Sequence, residues 1–237
     1  MTRLSVNLNK IALIRNSRGS NLPDLFQVAQ DCERFGAQGI TVHPRPDERH
    51  CKFSDLQPLK NSITSELNIE GYPDDHFMAQ VIKVKPHQCT LVPDDPKQIT
   101  SDHGWDTLKH ADLLKERIAE LKNNDIRVSI FIDPDRELIE GAAKAGADRI
   151  EFYTGPYAKE YPKNPEHAIH EIRETCIYAI AAGLGINAGH DLNLANLEYL
   201  KNNLARLDEV SIGHALICDA LYYGLENTIR LYLNKLQ

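Results

Sequence analysis

Short apolar runs recur along the chain, and most end on a residue able to do chemistry. Leu4-Ser5-Val6 leads to Asn7 and Asn9, Gly39-Ile40-Thr41-Val42 to His43 and Arg45, and Leu67-Asn68-Ile69 to Glu70. Arg149-Ile150 leads to Glu151, residues 185–189 to His190, and residues 208–212 to Gly213-His214. With residues 88–92 and 126–132 these make eight predicted strands, each short, apolar and bounded by turn residues. The intervening stretches read as helices. One opens at Pro23-Asp24 and closes at Gly36, one runs from Asp133-Pro134 to Gly146, and one from Asn164-Pro165 to Gly183. Pro favours a helix start and Gly the position just past its end. Further helices are predicted over 74–85, 106–123, 194–202 and 216–236. In the second of these Leu108, Ala111, Leu114, Ile118 and Leu121 make one apolar stripe at helical spacing.

Strand and helix therefore alternate throughout, with no linker to divide them. The pattern predicts one domain over residues 1–237, a (β/α)8 TIM barrel with extra short helices in its βα loops. Such barrels typically take about 250 residues and gather their strand C-termini on one rim, where their active sites lie. Residues scattered over the chain would then meet in one place. Three stretches lack a helical or strand pattern: 44–53, 93–105 and 155–164. All follow strands, and 93–105, which ends near the only Trp, reads as a lid over that rim.

Two strands carry polar residues at alternate positions. Barrel strands point alternate side chains inward, so Glu70, Arg149 and Glu151 should point into the barrel mouth while Leu67, Ile69, Ile150 and Phe152 meet the helices. Arg149 offers a partner to a carboxylate there, Glu151 among them. Glu70 has no such partner in its own strand, and a partly desolvated Glu has a raised pKa suited to general acid/base work. His43 and His190 each follow a strand; a histidine so placed serves as a base, a metal ligand or a packed side chain. The cations around His43, namely Arg45, Arg49 and His50, favour an anion over a metal. His167 and His170 share helical spacing among Glu166, Glu171 and Glu174, where a solvated helix face is expected. Gly189-His190 and Gly213-His214 close the last two strands, where barrels of this type often bind phosphate through backbone N–H groups.

Composition adds little beyond exclusions. The net charge is −7 with 26% charged residues, and no Lys/Arg block suggests nucleic-acid binding. The five cysteines are odd in number and widely spaced, without a CxxC pair, so neither a disulfide framework nor a zinc ribbon is expected. No signal peptide or membrane-spanning stretch is predicted, and a cytoplasmic protein is expected.

The order and spacing of several segments carry a more specific signal. These are Val6-Asn7, residues 15–19 (RNSRG), 39–45 (GITVHPR), 68–70 (NIE), 89–93 (CTLVP), 131–133 (FID), 150–155 (IEFYTG), 187–190 (NAGH) and 212–215 (IGHA). Together they resemble the pyridoxine 5′-phosphate synthase family, from Val6 to the final helix. The resemblance implies an enzyme that joins 1-deoxy-D-xylulose 5-phosphate to 3-amino-2-oxopropyl phosphate, releasing phosphate and water, without a cofactor or a catalytic metal. It implies that His43 and Glu70 accept protons, His190 donates one and Glu151 stabilises transition-state charge. Asn7, Arg18, Gly213 and His214 would hold the aminoketone phosphate, and Arg45, His50 and Thr100 the deoxyxylulose phosphate. The family commonly has an Asp-His pair where this chain has Asn9-Lys10, and Gly where it has Asp191; these positions are expected to touch substrate, with Lys10 as a substitute cation. The family assembles as octamers of dimers, so Arg18 is expected to reach a neighbouring subunit. Two rivals remain: another sugar-phosphate barrel, such as an epimerase or a Schiff-base aldolase, and a non-catalytic phosphate-metabolite binder.

Overall fold

The alternation of side chains along each strand explains both the closure and the unusual filling of the barrel. The computed structural model describes residues 1–94 and 101–237. Its strands are β1 (Arg3–Asn7), β2 (Gly39–Val42), β3 (Glu66–Gly71), β4 (Gln88–Leu91), β5 (Arg127–Ile132), β6 (Arg149–Tyr153), β7 (Gly185–Gly189) and β8 (Glu209–Ile212). They pair in parallel in chain order, and β8 returns to β1 to close the barrel. The outward positions, among them Leu4, Val6, Ile40, Ile69, Ile130, Ile150 and Ile186, are fully buried against the helices. The apolar core is therefore the shell between strands and helices.

The barrel interior is polar. TIM barrels ordinarily fill it with branched apolar residues, whereas here Ser5, Thr41, Asn68, Thr90, Ser129 and Asn187 occupy it, all buried. All but Ser129 bond across the strands: Ser5 Oγ lies 2.7 Å from Thr41 Oγ1, and Thr90 Oγ1 donates to Asn68 Oδ1 at 3.0 Å. The bonds offset the cost of desolvating these groups, about 1–3 kcal/mol for each one left unmade. At the N-terminal end of the barrel, Glu66 accepts from both Arg3 and Arg127. Arg149 donates to Asn187 Oδ1 at 3.1 Å and pairs with Glu209 at 3.8 Å. Arg149 thus sits at the bottom of the barrel and neutralises Glu209. The expectation that it points into the mouth fails because it opens β6, two residues before Glu151.

The helices are α1 (Asn9–Arg18), α2 (Leu25–Arg34), α3 (Phe53–Ser62), α4 (Asp75–Val84), α5 (Ala111–Lys122), α6 (Arg136–Ala145), α7 (Gly155–Glu160), α8 (Pro165–Ala181), α9 (Leu197–Asn203), α10 (His214–Tyr223) and α11 (Leu225–Asn234). Capping sets several starts. Asp24 accepts from the N–H groups of Phe26 and Gln27, and Asp135 from those of Glu137 and Leu138. The acidic residues are therefore the caps, and Pro23 and Pro134 stand just outside the helices they were expected to open. Asn164-Pro165 behaves as expected, with Asn164 as cap and Pro165 as first residue. The helix expected from Asp106 begins only at Ala111; Leu114, Ile118 and Leu121 keep the buried stripe, while Leu108 is exposed. The expected C-terminal helix breaks at Gly224, whose φ of +76° ends α10. Three helices were not anticipated. α1 has no side-chain cap, α7 has six residues in a stretch expected to be irregular, and α3 carries Pro58 in its interior. Among the described residues no helix is long and apolar enough to cross a membrane.

Candidate active site

The C-terminal rim holds a cavity of ≈ 390 Å³. Twelve of the predicted site residues line it: Asn7, Asn9, Lys10, His43, Arg45, His50, Glu70, Glu151, His190, Asp191, Gly213 and His214. Arg18 is exposed at the last turn of α1 and does not line the cavity. Thr100 lies outside the described residues, as does part of the stretch read as a lid. His167 and His170 lie in α8, away from the rim. Sequence reasoning missed Phe131, Tyr153, Ser101 and Ser211 in the lining. Phe131 and Tyr153 stood only as parts of the resemblance's segments; the alternation of β5 and β6 was the signal that could have found both.

Strand ends set the side chains. Asn7 Oδ1 accepts from the Asn9 N–H at 3.0 Å, and Asn9 Oδ1 accepts from the His43 N–H at 2.9 Å. The loop after β1 is thereby fastened to the end of β2, so Asn9 has a positioning task at the site. Next to β3, the bare Cα of Gly71 gives room to Phe77, since a Cβ would lie 2.3 Å from that ring. The ring, not a ligand, occupies the space that glycine leaves. Gly189 has the corresponding task in β7: a Cβ there would lie 2.2 Å from Glu151 Oε1.

Two carboxyl groups face the cavity without a Lys or Arg paired to them among the described residues. Glu70 accepts from Asn7 Nδ2 at 3.5 Å, and its Oε2 lies 3.9 Å from His43 Nδ1. Burial pushes its pKa up to about 8, with Asp94 raising it further and Arg45 opposing. Glu151 is raised well above the usual range by burial and by the nearby Glu70; a long contact to Thr90 Oγ1, at 3.5 Å, opposes weakly. The expected partner of Glu151 has gone to Glu209. His43 moves the opposite way, held well below 6.5 by burial and by Arg45, His50 and Arg49. The close His43–Glu70 contact is therefore a pair of neutral groups near pH 7, a place for a proton to pass, and not an ion pair. The two directions are what general acid/base work requires: an imidazole that accepts and a carboxyl poised near neutrality.

The cations flank these groups. Arg45 donates to Asp94 Oδ2 at 2.7 Å, and Ser101 Oγ shares the same oxygen at 2.6 Å. The pairing of Arg45 with Asp94 was not anticipated; Asp94 lies within the stretch read as a lid and fixes the guanidinium. His50 is lowered to about 4 by burial and by Lys10, Arg49 and Arg45, so it offers a ring N–H and no charge. On the opposite side, β8 ends at Gly213, and α10 begins with His214 and Ala215 at the cavity wall. The first turn of a helix presents unpaired N–H groups that suit an anion. Gly213 packs against Asn7, where a Cβ would lie 3.0 Å from Asn7 Cβ. Between these flanks, His190 stacks edge-on to Tyr153 at 5.5 Å. Among the described residues no three His, Cys, Asp or Glu side chains cluster to hold a metal ion.

Comparison with known proteins gives the same direction. The family described as Pyridoxal phosphate biosynthesis protein PdxJ matches residues 4–237. The chain is 62% identical to pyridoxine 5′-phosphate synthase of Cytophaga hutchinsonii and 58% identical to that of Bacteroides fragilis, over the whole of each chain. A solved structure of phosphoribosylanthranilate isomerase from Thermotoga maritima superposes with a TM-score of 0.62 at 10% identity, covering 100% of this chain and 98% of its own. That likeness concerns the barrel alone.

Proposed function

Because the chain belongs to the PdxJ family of pyridoxal phosphate biosynthesis proteins, we propose that its rim cavity is the site at which two phosphorylated substrates are condensed into pyridoxine 5′-phosphate. The chain is an enzyme of ring closure in vitamin B6 biosynthesis, as its full-length relatives are named. The substrates are 1-deoxy-D-xylulose 5-phosphate and 3-amino-2-oxopropyl phosphate. The observation that carries the assignment of residues is the buried, cation-free pair Glu70 and Glu151 set between two anion-binding flanks.

The geometry supports a division of labour. Asn7, Gly213 and His214, with the first turn of α10, hold the phosphate of the aminoketone. Arg45, His50 and Thr100 hold that of the deoxyxylulose, with Lys10 close by as an added cation. The substrate amine attacks the ketone of the other substrate, so no enzyme amine is required; among the described residues Lys10 is the one lysine that lines the cavity. Loss of water, loss of phosphate and ring closure each move protons. Neutral His43 accepts, Glu70 accepts once ionised and returns the proton, and His190 donates to the departing oxygen. Glu151, protonated, donates a hydrogen bond to negative charge as it develops, which a charged carboxylate would repel. The reading includes a cytoplasmic homo-octamer of dimers in which exposed Arg18 enters a neighbour's cavity.

The test is turnover by the EDTA-treated protein supplied with both substrates. Pyridoxine 5′-phosphate, identified by mass, and inorganic phosphate should appear together. Binding of either substrate without product would leave the rival reading, a phosphate-metabolite binder, in its place.

A further inference from the structure

The end of β7 holds an unusual backbone. His190 and Asp191 are consecutive non-glycine residues with φ of +87° and +56°. This left-handed region costs about 1–3 kcal/mol per residue and persists only where the surroundings enforce it. Something must hold the pair.

The neighbouring strand supplies the grip. Thr154 follows β6 and is fully buried. Its N–H donates to the Gly189 carbonyl at 3.0 Å. Its hydroxyl lies 2.7 Å from the Gly189 carbonyl and 2.5 Å from the His190 carbonyl. Thr154 also occupies the N-cap of α7, where a threonine hydroxyl ordinarily bonds the first helical turn. Here it makes no such bond; the hydroxyl is turned to β7 instead. The far side of the turn is held as well, since Asn196 Nδ2 and Asn193 Nδ2 approach the Asp191 carbonyl at 3.2 and 3.3 Å. Tyr157, in α7, donates to the Asn196 carbonyl at 2.6 Å. The peptide units of residues 189–191 are thus clamped between the start of α7 and the loop before α9.

We infer that Thr154 is a positioning residue whose hydroxyl holds the left-handed His190-Asp191 backbone and so aims the His190 imidazole at the reacting atoms. The inference rests on the reading of His190 as proton donor. Without the hydroxyl, the His190 carbonyl loses this contact, the Gly189 carbonyl keeps only the Thr154 N–H, and the pair relaxes toward ordinary φ, carrying the ring away from the cavity and off Tyr153. A displacement of about 1 Å at a catalytic group can lower turnover on the order of a hundredfold.

The test compares T154V, which keeps shape and loses the hydroxyl, with T154S, which keeps the hydroxyl. T154V should lower kcat by about ten- to a hundredfold while leaving KM for both substrates within about twofold. T154S should restore kcat to near wild type. Crystal structures of both variants read the backbone directly: residues 190 and 191 should leave the left-handed region in T154V and remain in it in T154S. T154A replaces T154V if the latter does not fold. An unchanged kcat in T154V with the backbone in place would overturn the inference, as would equal losses in the valine and serine variants. H190Q separates the two readings. If H190Q turns over normally, the proton-donor reading fails, and the crystal structures alone decide whether Thr154 sets the backbone.

Discussion

Glu70→Gln should make the protein more stable while abolishing turnover, and the gain should grow with pH. The ordinary carboxyl titrates near 4.5 and Glu70 near 8. A group whose folded pKa is raised binds its proton more tightly in the folded state. Its contribution favours folding below the lower value and is lost as pH rises through the interval. At about 1.4 kcal/mol per unit, the penalty reaches about 3 kcal/mol at pH 7 and about 5 kcal/mol above pH 8. Glutamine cannot ionise, keeps the volume and still accepts from Asn7, so E70Q escapes the penalty. Denaturant unfolding of both proteins at fixed pH from 5 to 9 checks this, read as midpoints at a common slope. The two should nearly coincide at pH 5, diverge steadily to pH 8 and run parallel beyond. A gap independent of pH would refute the reasoning, because Glu70 would then ionise in the folded protein as easily as in the unfolded chain.

Two further outcomes follow from the barrel's charges and thiols. Arg149→Met should destabilise by about 3–5 kcal/mol, the cost of leaving a buried charge unpaired, because Glu209 loses its partner; adding E209Q should recover most of the loss in the same unfolding assay. Of the five cysteines only Cys218 is not fully buried, and burial pushes Cys32 up to about 12 and Cys89 higher still. A disulfide reagent at neutral pH should therefore titrate one thiol in the native protein and five after denaturation; rapid reaction of a second thiol in the native protein would contradict the burial.

The architecture was legible because its signals are local and repeated. Eight apolar runs, each followed by a helix, place His43, Glu70, Glu151, His190 and Gly213 on one rim by topology alone. What escaped was set by tertiary contact. Pro58 stands inside α3, where the proline argues against a helix, yet Leu56 and Leu59 are buried and secure it. Asp94 escaped because its partner, Arg45, lies 49 residues away. Arg149 was read in the right layer of the barrel and at the wrong height, since alternation gives the side of a strand and not the depth. The space beside Gly71 is of the same kind, since only packing shows that Phe77 fills it. Thr154 shows the converse: a threonine before a helix reads as a cap, and here the hydroxyl serves another strand.

The two ends of the barrel treat buried charge in opposite ways, and the contrast explains why the interior is polar at all. At the bottom, burial pushes Glu66 up but the bonds from Arg127 and Arg3 outweigh it and hold it at about 2; it is a fixed charge, fully compensated. Glu209 has Arg149. At the top, Glu70 and Glu151 have no such partners among the described residues, and nearby Arg45 is already engaged by Asp94. An apolar filling would leave the carboxyls with no hydrogen bonds and the same desolvation. Thr90 on Glu151 and Asn7 on Glu70, each at 3.5 Å, give them weak, neutral contacts that leave either protonation state accessible. An arginine bonded to them, as Arg127 and Arg3 are to Glu66, would stabilise the fold and lock the carboxyls in their ionised form. The cost borne at Glu70 is therefore the condition for a carboxyl that exchanges protons near neutral pH, and for Glu151 to remain protonated beside it.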